Sequence, residues 1–208
     1  AYKRRALDDV VNHAYAKLLA EEQGVNVTAE EVDNQIRIAR EQNRLGSSDA
    51  IFEDVLRDYW DWSVEDFRRS LTNKLLVQKL TRAMDQETEE KARQAFAELK
   101  GGAEFADVAR KYSDEETTRE NGGEFGEVST LSRSISQQQT VDTLLRLPEG
   151  QYSEIGVIPY EDGYALEIVK NLEKKGSSAK GARIVFKLKN IQGLINDRKE
   201  QKPYRLYI

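Results

Sequence analysis

The 208-residue chain contains no cysteine. That excludes disulfides, thiolate metal sites and a cysteine nucleophile, and leaves the compartment open, since a cysteine-free chain suits oxidising and reducing surroundings alike. Histidine is almost missing too. His13 is the only one, and it falls in a helical stretch, where it reads as a surface or boundary residue. No apolar run approaches the roughly 20 residues that a membrane span needs, and no signal peptide is visible. The chain starts at Ala1 rather than Met, which reads as a fragment and leaves room for a signal or membrane anchor upstream. Positive charge is not in excess: the net charge is -5, with both signs interspersed. There is no basic stripe and no interleaving of aromatics with Lys/Arg clusters, so a nucleic-acid partner is not expected.

What is present is a soluble-looking surface, with 33% charged residues, and 38% hydrophobic residues, enough for one good core or two small ones. The first 84 residues carry a helical period. Leu7, Val10, Val11, Ala14, Tyr15 and Leu18 line one face before Gly24 stops the helix. Thr28 and Glu31 form a capping box for a helix with Val32, Ile36 and Ala39 on one side. After a break at Gly46-Ser47-Ser48, a third helix carries Phe52, Val55, Leu56 and Tyr59. Ser63 and Asp66 cap a fourth that runs through Phe67, Leu71, Leu75, Leu76, Leu80 and Met84.

The pattern then changes. A helix with Ala92, Ala95, Phe96 and Leu99 ends at Gly101-Gly102, and a shorter one carries Phe105, Val108, Ala109 and Tyr112. A polar stretch, 113–121, closes in Gly122-Gly123-Glu124-Phe125-Gly126. Another helical segment ends near Leu147, followed by a Pro148-Glu149-Gly150 turn. Residues 151–188 alternate like strands, with Tyr164, Leu166 and Ile168 on one face and Ala165, Glu167 and Val169 on the other. Residues 174–181 read as a flexible loop, and the alternation resumes in Ile184, Phe186 and Leu188. A helix from Ile191 to about Gln201 and a short strand, Tyr204 to Ile208, end the chain. The fold class is α+β. No metal constellation, phosphate-binding loop or nucleophile triad occurs, and the paired glycines are turn glycines.

Two resemblances follow. The run Gln23-Gly24-Val25-Asn26-Val27-Thr28-Ala29-Glu30-Glu31-Val32-Asp33 and the run Leu75-Leu76-Val77-Gln78-Lys79-Leu80 resemble the N-terminal helical domain of SurA-type chaperones. Gly102-Ala103-Glu104-Phe105-Ala106-Asp107-Val108-Ala109-Arg110-Lys111-Tyr112-Ser113, then Asn121 to Gly126, Leu147 to Ser153 and Gly163-Tyr164-Ala165-Leu166 resemble the parvulin domain, a peptidyl-prolyl isomerase module. The tail, Leu194 to Gln201 and Pro203 to Ile208, again resembles the SurA type. The resemblance implies a helical chaperone domain over 1–86, a parvulin-like domain over 87–189, and a C-terminal helix and strand, 190–208, returning to the N-terminal domain.

The parvulin resemblance breaks twice. Only residues 85–87 separate the fourth and fifth helices, too few for the strand that opens a parvulin. Residues 182–188 read as that strand, moved to the other end. A hairpin back from 164–170 would place it in the sheet centre and permute the connectivity. The module's two histidines are also missing: the resemblance puts Arg183 and Ala165 at those positions and Asp114 or Glu115 at the accompanying acid. The pocket's Met and Phe fall near Ile135 and Thr140. An ion pair of Arg183 with Glu115, Asp114 or Glu167 is expected in their place, beside Ala165. Phe125, Ile135, Val185, Tyr59, Trp60 and Trp62 are the candidates for substrate binding, with Phe67 read as core. The expected role is a folding factor that binds unfolded or newly exported polypeptides outside the cytoplasm, in the periplasm or at the cell surface, without cofactor or metal and with little or no isomerase activity. An active isomerase and a non-catalytic surface interaction module remain as alternatives.

Overall fold

A computed structural model describes residues 2–41, 46, 48–129 and 138–203. The chain divides into two compact units, one of Ala1–Ala83 with Ile191–Ile208, the other of Met84–Asn190.

The first unit is helical: α1 (Tyr2–Glu22), α2 (Ala29–Glu41), α3 (Asp49–Trp60), α4 (Val64–Met84), which runs to the boundary, and α9 (Gln192–Gln201). The starts of α2 and α4 are fixed by side chains that satisfy backbone N–H groups left over at a first turn. Thr28 and Glu31 do so reciprocally, at 2.8 and 3.2 Å, and Ser63 and Asp66 repeat the device, both at 3.1 Å. Val32, Ile36, Phe52 and Leu56 form the core joining α2, α3 and α4. Phe67 packs edge-on against Phe52, ring centroids 5.5 Å apart, so Phe67 is a core residue.

The buried face of α1 differs from the expected stripe. Val11, Tyr15, Ala16 and Ala20 are buried, while Val10, Ala14 and Leu18 are exposed. The helix is turned toward α9: the Tyr15 hydroxyl donates to the Lys202 carbonyl, Lys199 to Asn12, and Arg198 pairs with Glu22. Tyr204, Leu206 and Ile208 lie outside the described residues.

The second unit contains α5 (Gln86–Lys100), α6 (Phe105–Tyr112), α7 (Glu116–Arg119), β1 (Glu124–Ser129), α8 (Gln138–Arg146), β2 (Gly156–Tyr160), β3 (Gly163–Lys175) and β4 (Ser178–Lys187). The strands form one antiparallel sheet in the order β1-β4-β3-β2. The β3–β4 hairpin is central, with Ala165 opposite Lys187 and Lys170 opposite Ala182. Segment 183–188 thus pairs with 164–170, the hairpin that the resemblance implied. The flexible loop expected over 174–181 is instead mostly strand; only Gly176 and Ser177 turn, with Gly176 left-handed at φ +57, which suits a tight hairpin.

Period-two alternation sends the hairpin's side chains to opposite faces. Leu166, Ile168, Ala182, Ile184, Phe186 and Leu188 pack on Ala92, Ala95 and Leu99 of α5 and on Phe105, Val108 and Ala109 of α6. Val169 and Ala179 pack on Leu144 of α8 across the other face. The sheet is a middle layer with helices on both sides. A single residue, Asp85, separates α4 from α5. Its carboxylate accepts from Thr88 N–H at 3.2 Å and Lys189 N–H at 2.8 Å, so it caps α5 and ties down the chain leaving β4. Burial works against its ionisation, but these hydrogen bonds win and hold the carboxyl below its ordinary value.

Candidate functional site

The site lies on the α8 face of the sheet, where an apolar layer is interrupted by charge. Arg183 projects from β4, Glu167 from β3, and Glu115 from the turn before α7; all three are buried. The guanidinium grips Glu115 with two nitrogens, Nε to Oε2 at 2.8 Å and Nη2 to Oε1. Its remaining nitrogen, Nη1, is 3.4 Å from Glu167 Oε1. Glu115 also accepts from the Thr118 hydroxyl at 2.7 Å and the Tyr160 hydroxyl at 3.3 Å. The Thr140 hydroxyl lies 3.0 and 2.9 Å from the two oxygens of Glu167. Phe125 closes the cluster, its ring centroid 5.5 Å from the guanidinium carbon.

The backbone around Arg183 admits no bulk. Gly123 has φ +86, and a Cβ there would overlap the Arg183 carbonyl. The Gly123 carbonyl also accepts from Arg183 N–H at 2.9 Å. Glycine is required by the close approach of two backbones as well as by the left-handed turn.

The two carboxyls respond oppositely to one cation. Burial would raise Glu115, but the hydrogen bonds and charge of Arg183, with Thr118 and Tyr160, overcome it and hold that carboxyl below its usual range. Burial dominates at Glu167 and pushes it up to about 7, against the Arg183 charge and the Thr140 hydrogen bond. The geometry explains the split: the two-nitrogen fork is spent on Glu115, and Glu167 receives one long contact. Arg183 itself is opposed by burial, yet Glu115 raises it, so it stays charged. A neutral Glu167 can donate, which suits its place beside a hydroxyl and a second carboxylate.

The other sequence candidates scatter. Asp114 does not reach Arg183: its Oδ1 pairs with Lys91 at 2.6 Å and its Oδ2 accepts from Lys187 N–H at 2.9 Å. Ala165 is buried but is not Arg183's neighbour. The register pairs Arg183 with Val169 and Ala165 with Lys187, which separates them by four positions, roughly 13 Å at strand rise. Ala165 and Val185 pack instead with Ile158 and Tyr160. Phe125 is half-buried against Leu144, Val169 and Ala179. Ile135 lies outside the described residues. Tyr59, Trp60 and Trp62 are in the helical unit and exposed. His13 is also there, exposed, its Nδ1 2.8 Å from the Asp9 carbonyl. Sequence reasoning missed Tyr160 and Thr140 as partners of the two acids; a Tyr and a Thr on elements flanking a buried charge were the available signal.

Among the described residues no group of acidic or histidine side chains could hold a metal, and no helix is long and apolar enough to cross a membrane. The cluster can hold charge and position one proton. The family profile described as the PPIC-type PPIASE domain matches residues 71–175, half of the chain, and the chain belongs to that family. The profile described as the SurA-like N-terminal domain matches residues 1–81. The rotamase match begins within α4, ends with β3 and leaves β4 outside.

A curated relative, the "Putative peptidyl-prolyl cis-trans isomerase YacD" of Bacillus subtilis (strain 168), is 26% identical over 187 residues, covering 79% of this chain. The match spans 62% of that relative's length. Among solved structures, a peptidylprolyl isomerase (PrsA) of Bacillus anthracis is similar over 90% of this chain and 84% of its own, at 16% identity and a TM-score of 0.29. The foldase protein PrsA of Streptococcus pneumoniae is similar over 95% of this chain and 74% of its own, at 19% identity and a TM-score of 0.31.

Proposed function

We propose that this chain is a polypeptide-binding folding factor, acting outside the cytoplasm, whose isomerase-type module serves as architecture rather than as a catalyst of prolyl isomerisation. The observation that carries the reading is the occupant of the charged face. By the parvulin resemblance, Arg183 stands at one of the two histidine positions and β4 stands in for the module's opening strand; the register sets Ala165, the other position, apart from Arg183, and the chain's one histidine is His13, in a different unit.

Rotation about an X–Pro bond faces a barrier of about 18–20 kcal/mol, and each 1.4 kcal/mol removed gives a tenfold rate. A catalyst must hold the proline ring in an apolar site and offer preorganised donors to a twisted amide. In this cluster the donors are already spent. Arg183 is committed to Glu115, Tyr160 to Glu115 and Thr140 to Glu167. Phe125 lies against the guanidinium rather than open to a ring.

The test is an isomerisation assay on a short X–Pro peptide with micromolar protein. The expected result is the uncatalysed relaxation, tens to hundreds of seconds at 25 °C, unchanged as protein is added. Strong acceleration would make the module an active isomerase.

A further inference from the structure

The aromatic side chains exposed among the described residues occupy a single place. Tyr59 is 80% exposed, Trp60 48% and Trp62 40%, where α3 ends and α4 begins. Exposed aromatics in one patch mark binding surfaces more often than chance, and Trp and Tyr dominate the energetics of contact surfaces. The backbone of this patch is tied down by hydrogen bonds. Asp61 is left-handed at φ 55, and its N–H bonds Arg57 O at 3.0 Å. The Trp62 N–H reaches back to the carbonyl of fully buried Leu56 at 3.2 Å. The turn therefore hangs from the α2–α3–α4 core and sets the two indoles 6.2 Å apart, tilted at 45°.

The segment that carries the rings is acidic. From Asp49 to Asp66 there are seven acidic residues against Arg57 alone, a net of −6 in a chain that totals −5. Arg57 is shared between Asp54 and Asp58, Asp49 pairs with Arg40, and Asp66 pairs with Arg69. Glu53, Asp61 and Glu65 form no ion pair with the described residues, and all three are exposed.

We propose that this surface captures cationic segments of unfolded polypeptide, stretches in which Lys or Arg alternate with apolar residues. The indoles and Tyr59 take the aliphatic stems and the charged heads over their faces, and Glu53, Asp61 and Glu65 supply charge complementarity. Anionic segments are repelled by the same rim. The inference rests on the polypeptide-binding reading above and adds the class of segment bound.

Trp60 and Trp62 are the chain's only tryptophans, so intrinsic tryptophan fluorescence reports this patch alone. The full chain is titrated with three unstructured peptides of equal length and apolar content, carrying Lys/Arg, Gln or Glu at the same positions. The cationic peptide is expected to saturate the signal with a Kd about tenfold or more below that of the Gln peptide, and the Glu peptide to bind most weakly. The preference should fade toward 1 M salt, where the screening length is about 3 Å. Glu53→Gln with Asp61→Asn and Glu65→Gln should abolish the preference and leave the Gln peptide's affinity in place. Equal affinities for all three peptides would overturn charge selection and leave polypeptide binding standing. No tryptophan response in a protein that still suppresses client aggregation would overturn this surface alone. No response and no suppression would overturn both readings.

Discussion

Replacing Glu115 by alanine is expected to destabilise the sheet unit by about 3–5 kcal/mol, the usual cost of leaving a buried charge without its partner. Arg183 is buried on a central strand and bonds Glu115 with two nitrogens, while its contact with Glu167 is long, at 3.4 Å. Glu115→Ala strands the guanidinium and frees the Thr118 and Tyr160 hydroxyls from their shared acceptor. Arg183→Met should cost a similar amount, because it strands Glu115 between Glu167 and two hydroxyls. The double variant Arg183→Met/Glu115→Leu should recover most of the loss, since apolar residues of similar volume replace a buried pair at little or no net cost. Urea unfolding followed on the NMR signals of β3 and β4 reads this unit directly. Single variants costing under about 1 kcal/mol would place the pair in the class of weak surface bridges and contradict the buried geometry.

The second large effect is a loss of stability between acid and neutral pH that belongs to Glu167. Its carboxyl is raised from 4.5 to about 7 in the folded chain, so the folded state binds the proton more tightly than the unfolded state. The stability this contributes is complete below about pH 4.5 and is lost as pH rises through 7. At 1.36 kcal/mol per unit the loss is about 3 kcal/mol. Glu115 has the opposite sign: its carboxyl is depressed, so its contribution is present above the ordinary glutamate value and disappears only in more acidic solution. Between pH 5 and 8 Glu167 governs. Glu167→Gln should flatten the profile over that range and be the more stable protein at pH 8. An equally steep profile in Glu167→Gln would assign the dependence elsewhere.

Much of this organisation is written in local pattern. The small-residue stripe Ala92, Ala95, Leu99 on α5 and the alternation Ile184, Phe186, Leu188 on β4 meet in one core, because helical and strand periods must bury their faces against each other. Both capping pairs in the helical unit are readable as spacing alone. A lone Arg in an apolar strand required an acid, and Glu115 supplies it.

What stayed hidden depends on registers and distances that no local pattern encodes. One β3–β4 register places Arg183 opposite Val169 and takes Ala165 out of reach. Asp114 and Glu115 are adjacent and chemically alike, yet Asp114 turns to Lys91 and the Lys187 amide. The 113–121 stretch reads only as polar but contains α7, too short to show a period. Strand β1 is masked by Gly123 and Gly126, which weaken any strand signal. The α1 stripe shows that a periodic face predicts a helix better than it predicts which side the fold buries.

The central claim is that the chain holds polypeptides without isomerising them. It is tested most directly by refolding an aggregation-prone client whose slow phase is limited by an X–Pro bond. With the protein present in equimolar amount, the account predicts a higher yield of native client and an unchanged rate constant for the slow phase. A slow phase that accelerates in proportion to small amounts of the protein, or a yield that does not rise, would contradict it.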